Sequence, residues 1–228
     1  MSIVFFIDFK IPPHEFSRFI GRLGFKMSRS KKKWICVFCG SANGARAEYL
    51  ATARELGLAI AGKGHGLVYG GATAGLMGAV ADAALSAGGE VVGVIPDVLM
   101  DREIAHRGLT ELHAVHTMHE RKALMASRAD AFVALPGGFG TMDEFLEILT
   151  WAQLRIHSKP CVLLNVGGYY DALLQFLDHA VEQGFLKTEN RQRVLVTEDV
   201  PGTLLEIKRA WEQIETPVHD PKLDELVK

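Results

Sequence analysis

Cysteine is scarce: Cys36, Cys39 and Cys161 are the only three in 228 residues. An odd count in a chain large enough to bury a real core excludes a disulfide-stapled scaffold and points to a reducing cytoplasm. An excess of one charge is also missing. Lys and Arg number 25 against 27 Asp and Glu, a net charge of −2, which leaves no electrostatic footprint for nucleic acid or an anionic membrane as partner. The apolar run in MSIVFFIDFKIPPHEF is interrupted by Asp8, Lys10 and Pro12-Pro13. It is too short to span a membrane and lacks the basic start of a signal peptide. No internal repeat, low-complexity tract or domain linker is visible. With 48% hydrophobic and 23% charged residues, the chain reads as one folded domain with at most a small appendage.

Residues 1–27 are the appendage. A second methionine, Met27, opens MSRSKKKWICVF, which reads as an ordinary N-terminus with a polar lead-in. We expect 1–27 to be a weakly attached extension, explained by an upstream start-codon assignment; an added helix or strand capping the domain is the competing reading. Residues 28–215 form the expected single domain, and 216–228 a polar tail that frays.

From Trp34 onward, short β-prone runs alternate with longer helical stretches. The runs are 34–39, 66–71, 90–96, 111–116, 131–136, 160–166 and 193–198. They are apolar almost throughout, as strands covered on both faces are. Helices are expected near 47–62, 75–87, 118–128, 141–156, 170–184 and 201–215. The alternation predicts an α/β, Rossmann-like doubly wound fold: a mostly parallel sheet of about seven strands with helices on both faces.

Ligands of such sheets bind beyond the carboxyl ends of the strands. Four unusual segments begin there: CGSANG (39–44), GGATAGLMG (70–78), TMHERK (117–122) and PGGFGTMDE (136–144). Gly70, Gly71, Gly75 and Gly78 allow backbone to approach a ligand at a helix N-terminus, or serve a tight strand–helix turn. The segment is neither a Walker loop, since no Gly-Lys-Ser/Thr follows, nor a strict GxGxxG. Gly137, Gly138 and Gly140 repeat the device as a backbone nest, with the Thr141 hydroxyl at the helix start, and a phosphate fits there. Two capping boxes are also readable, Thr117–Glu120 and Thr141–Glu144, and the second would give Glu144 a purely structural task. Arg121 falls in the first turn of a helix, against the helix dipole, which suggests an anionic partner.

GGATAGLMG, MHERKALM and PGGFGTMDE, in this order and spacing, resemble the LOG (lonely guy) family of cytokinin riboside 5′-monophosphate phosphoribohydrolases; the last fits that family's PGG-x-GT-x-x-E pattern in full. The resemblance covers the chain from about Trp34 to the last helix and leaves 1–27 without a counterpart. It implies hydrolysis of an N-glycosidic bond in an adenine nucleoside 5′-monophosphate, without cofactor or metal, by a typically dimeric protein. Arg121 and Glu144 would be the catalytic pair. Gly71, Thr73 and Gly75, together with Gly137, Gly138, Gly140 and Thr141, would hold the nucleotide phosphate, with Met118 and Lys122 alongside. Arg121 would either bind phosphate or stabilise the departing base. A carboxylate beside the ribose suits the chemistry, because cleavage builds oxocarbenium charge on the sugar. A carrier that holds a nucleotide or phosphorylated cofactor on the same fold, and a general AMP nucleosidase, are the alternatives.

Other signals carry less. Cys36 and Cys39 stand at odd spacing on a strand, so they face opposite ways as buried thiols. His113, His116 and His119 do not converge with cysteine or carboxylate at metal-ligand spacing. Met125, Leu124 and Ala126 serve either as core or, with Met118, as an apolar floor for a base or an interface. Helix 141–156 carries Phe145, Leu149 and Ala152 on one face with Leu146 beside them. Lys159 is expected on the solvent side, which does not suit a Schiff-base lysine. Removing residues 1–27 should leave a soluble protein with unchanged far-UV circular dichroism and unchanged turnover.

Overall fold

The computed structural model describes residues 32–100 and 105–215. The segments 1–27 and 216–228 singled out above lie outside the described residues. Seven strands are present among those described: β1 (Trp34–Phe38), β2 (Gly66–Tyr69), β3 (Val91–Pro96), β4 (Glu111–Val115), β5 (Ala131–Ala134), β6 (Cys161–Leu164) and β7 (Val194–Thr197). They form one sheet in the order β4-β3-β2-β1-β5-β6-β7, every pair parallel. The helices are α1 (Ala47–Gly62), α2 (Gly75–Ser86), α3 (Asp97–Met100), α4 (Met118–Arg128), α5 (Phe139–Gln153), α6 (Asp171–Glu182), α7 (Thr188–Arg191) and α8 (Val200–Glu215). No described helix is long and apolar enough to cross a membrane.

Period-2 geometry sends alternate residues of β1 to opposite faces. Ile35 and Val37 join Leu56 and Ile60 of α1, Leu76 of α2 and Ile207 of α8. Cys36 and Phe38 join Met125 of α4 and Phe145 and Ile148 of α5. Because both faces are covered, the strands need continuous apolar runs, as the sequence has. The two thiols Cys36 and Cys39 fall on opposite faces as expected.

Two helical expectations are corrected. Helix α5 begins at Phe139, with Gly138 as N-cap, rather than at Thr141. Its buried stripe is Thr141, Glu144, Phe145, Ile148 and Ala152, an i, i+3, i+4, i+7 spacing. Leu146 lies off that stripe and is exposed, while Leu149 packs at its margin. Met125 and Ala126 are core residues, and only Met118 of that group is exposed.

The strand order reverses at β1: β2 lies on one side and β5 on the other. In sheets of this kind the ligand crevice lies at the switch point, here between the loops after β1 and β5. Main-chain hydrogen bonds close its walls, Gly40 N to Pro136 O at 3.1 Å and Leu76 N to Gly40 O at 3.0 Å. Loops following β1, β2 and β5 are thereby tied together.

Helices α1 and α2 pack closely at Gly57, where a Cβ would overlap the Val80 carbonyl oxygen of α2. Alanine gains about 1 kcal/mol of helix propensity over glycine, but overpacking against backbone costs about 1–3 kcal/mol. Gly57→Ala should therefore lower the thermal midpoint. Gly62→Ala should raise it, since no atom stands within 4 Å of a Cβ there.

Candidate active site

Helix α4 starts with the predicted capping box. The Glu120 amide donates to Thr117 Oγ1 at 3.1 Å, and Glu120 Oε2 accepts from the Thr117 amide at 3.3 Å. The cap fixes where the helix begins and thus which way Arg121 projects. Its side chain runs inward and is 7% exposed. Nε donates to Val94 O of β3 at 2.9 Å, and one terminal nitrogen donates to Gly70 O, just past β2, at 3.4 Å. The other donates to Glu144 Oε1 at 2.6 Å. Gly70 has to be glycine for this arrangement, because a Cβ would overlap the guanidinium.

Glu144 reaches that point from α5 and is also 7% exposed. It is the sixth residue of the helix, not the third, so it cannot close a capping box with Thr141. The structural task considered for it is therefore replaced by a buried ion pair. The anionic partner that Arg121 needs against the helix dipole is Glu144, inside the protein. Removing two charges from water costs several kcal/mol per ion, recovered only with good geometry and full hydrogen bonding. The three donor contacts of Arg121 supply that geometry.

The loop Gly137–Gly140 is built differently from a nest of left-handed residues. None of Gly137, Gly138 and Gly140 has positive φ. Gly137 is glycine because a Cβ would overlap the Thr141 hydroxyl packed beneath it. Gly138 and Gly140 have nothing within 4 Å of a Cβ and open to solvent. Gly138 provides no side-chain cap, so the first amides of this 15-residue helix point outward without a side-chain acceptor on the N-cap. With the helix dipole they leave a partial positive charge at this end of the helix. Glu144 lies five residues farther in, roughly 7.5 Å along the axis.

The first glycine loop forms the adjoining wall. Gly71 and Gly75 have φ of 82° and 58°, the left-handed region that favours glycine. At Gly75 a Cβ would overlap the Ser41 backbone, and at Gly78 the Thr73 carbonyl. Thr73 sits exposed at the turn. Met118, 40% exposed, stands at the start of α4. Lys122 turns toward α5, with Nζ 3.1 Å from Asp143 Oδ2 and 2.9 Å from Glu147 Oε2. Burial disfavours its charge, but these two carboxylates outweigh it and raise the Lys122 pKa. Lys122 thus braces α4 against α5.

Two residues that the sequence reading passed over support the same loop. Tyr169 Oη donates to Gly137 O at 2.7 Å and Tyr170 Oη to Leu135 O at 2.6 Å. Asn165, after β6, accepts from the Tyr170 amide at 2.7 Å. The available signal was an aromatic pair after Gly167-Gly168 at a strand end.

Other chemistry is not supported by the local environments. Burial, and secondarily the charge of Glu144, push the Cys39 thiol well up, away from thiolate. His106, His113 and His116 are each paired with a carboxylate, at 2.9, 3.0 and 2.9 Å. Among the described residues, no three His, Cys, Asp or Glu side chains gather as a metal-binding group. Lys159 is half-buried, contrary to the solvent-facing expectation. Its Nζ donates to Ala126 O at 2.8 Å, and burial lowers its pKa. Yet it precedes β6, at the amino edge of the sheet and away from the glycine loops.

Arg121→Met would leave Glu144 without its guanidinium partner. Unfolding free energy should fall by about 3–5 kcal/mol, the usual cost of stranding a buried charge. Urea denaturation should show much of that loss restored in an Arg121→Met/Glu144→Leu double variant.

A family model described as "Possible lysine decarboxylase" matches residues 77–207. The chain is 52% identical over 182 residues to a cytokinin riboside 5′-monophosphate phosphoribohydrolase of Rhodococcoides fascians, covering 79% of this chain and 92% of that protein. A protein of the same description from Arabidopsis thaliana is 52% identical over 169 residues, covering 74% and 79%. Among solved structures, a molybdenum cofactor carrier protein from Chlamydomonas reinhardtii superposes with a TM-score of 0.62 at 25% identity, covering 80% and 99%. Taken with the fold and with the pair Arg121–Glu144 beneath two glycine loops, these likenesses place the chain in the LOG family of phosphoribohydrolases.

Proposed function

We propose that this protein hydrolyses the N-glycosidic bond of adenosine 5′-monophosphates, with preference for an apolar N6 substituent, giving free base and ribose 5-phosphate. The observation that carries the reading is the placement of the buried Arg121–Glu144 pair one to two helical turns behind the open N-terminus of α5.

In this reading, the 5′-phosphate sits on the amides at Gly138–Thr141, facing the loop Gly71–Gly75. The ribose then lies over Glu144. As the C1′–N9 bond lengthens, positive charge grows on the sugar, and Glu144 stabilises it and orients the attacking water. The water oxygen bonds to C1′, the bond electrons leave with the base, and the water proton passes by way of the carboxylate to the departing base. Arg121, held by Val94 and Gly70 carbonyls, fixes Glu144 as a carboxylate acceptor at the site. Tyr169 and Tyr170 position the phosphate loop. Met118 and Phe139, 40% and 97% exposed, provide an apolar surface beside the site, suited to an N6 substituent or to the second protomer of a homodimer. Three buried free thiols suit a cytoplasmic protein.

The carrier reading has one observation behind it, the likeness to molybdenum cofactor carriers. Base release separates the two. Purified protein incubated with AMP and with N6-isopentenyladenosine monophosphate should release free base and ribose 5-phosphate from the second with the higher kcat/KM. Tight binding without release would leave the carrier reading standing. Glu144→Gln retains an acceptor oxygen for Arg121 but not its charge, so it should fold with a lowered thermal midpoint, and kcat measured below that midpoint should be lower by about 10²–10⁴-fold. Near-normal turnover in that variant would remove Glu144 from the chemistry.

A further inference from the structure

The amino edge of the sheet, opposite the glycine loops, carries a second cleft. It has a volume of about 420 Å³ and lies between the end of α5, the α6–α7 turn and the start of β7. Arg155, Lys187 and Arg193 line it, with Glu189 as the one acidic residue of the lining. An adjoining hollow of about 560 Å³ shares Arg155 and Arg193. Among the described residues none of these three cations has a carboxylate partner, whereas neighbouring Arg191 is matched by Asp178 at 2.7 Å. The Arg193 side chain donates to the neutral Asn190 side chain, at 3.3 Å.

Arg155 stands out on a separate ground. Its φ of 61° makes it the one non-glycine residue with positive φ among those described. It occupies the residue after the C-cap of α5, where Arg155 N bonds to Ala152 O and Ile156 N to Trp151 O. Glycine is the favoured residue at this position of such a helix end. The helix dipole welcomes a cation nearby, but a cation elsewhere in the last turn would satisfy the dipole without left-handed strain. An arginine here therefore suits a task for its guanidinium. Phe185, 91% exposed, lines the same cleft.

We propose that this cleft is a second ligand site, distinct from the active site, for a nucleoside phosphate. Arg155, Arg193 and Lys187 hold the phosphate, where guanidinium groups offer paired donors, and Phe185 stacks on the base. The volume lies within the range of small-molecule sites. Four-residue strands alone separate this edge from the glycine loops by roughly 13 Å, so one mononucleotide does not occupy both sites.

The test uses the full chain and 9-deazaadenosine 5′-monophosphate, whose carbon–carbon glycosidic bond is not hydrolysed. Calorimetric titration should show a binding event that Arg155→Gly/Arg193→Gln weakens at least tenfold, that inorganic phosphate competes away, and that adenosine without phosphate does not produce. The same variant should keep its base-release kcat and KM. Arg155→Gly alone should melt at or above the wild-type temperature, which separates a ligand role from a structural one. Absence of any substitution-sensitive event overturns the proposal. So does a change in sedimentation coefficient without a change in titration, which would make the cleft a contact between copies. Failure of AMP hydrolysis would instead bear on the active-site reading and leave this titration decisive for the cleft.

Discussion

The contact between Arg121 and Glu144 organises the molecule around the crevice. A guanidinium and a carboxylate meet at 2.6 Å in a place almost closed to water. Neither tolerates that place alone. The pair therefore dictates its surroundings: a missing side chain at Gly70, a carbonyl of β3 turned to the guanidinium, and two helices delivered to the same point from separate strand ends. The Thr117 cap sets the start of α4, and Lys122 bridges to Asp143 and Glu147, so α4 and α5 are clamped at two heights. An outer, partly exposed clamp stands over an inner, buried one.

The glycines around the crevice are not interchangeable. Gly71 and Gly75 meet a torsional requirement. Gly70, Gly78 and Gly137 meet a steric one imposed by Arg121, Thr73 and Thr141. Gly138 and Gly140 meet neither, and openness is what they contribute. This division says which positions the fold requires and which it leaves open to solvent.

The sheet and its helices were legible because a parallel sheet covered on both faces writes itself as apolar runs spaced by amphipathic stretches. All seven strands fall inside their anticipated segments. The ends were less legible. Helix α5 starts earlier than Thr141 because Phe139 and Gly140, poor as signals of a helix start, still take helical geometry after Gly138. That shift of register turned an apparent cap into a buried acid. Resemblance, not spacing, brought Arg121 and Glu144 together as a pair; separated by 23 residues, they meet only through the fold. Tyr169 and Tyr170 were missed for the same reason, since their hydroxyls act on carbonyls more than 30 residues away. Lys159 was misplaced because a lysine before a buried strand can turn back, setting its ammonium 5.9 Å from the Phe132 ring centroid and donating it to a carbonyl.

The main-chain ties from Gly40 to Pro136 and from Leu76 to Gly40 have a thermodynamic consequence. They fasten the loops after β1, β2 and β5 to one another, and tyrosine hydroxyls fasten the last of these from beneath. Loops held this way are ordered in the empty protein. A ligand bound between loops tied in this way would give up its own freedom without also freezing three segments of backbone. Recognition of this kind works as a rigid template: selectivity comes from the fixed outline of the walls, and association is accompanied by little rearrangement of the chain.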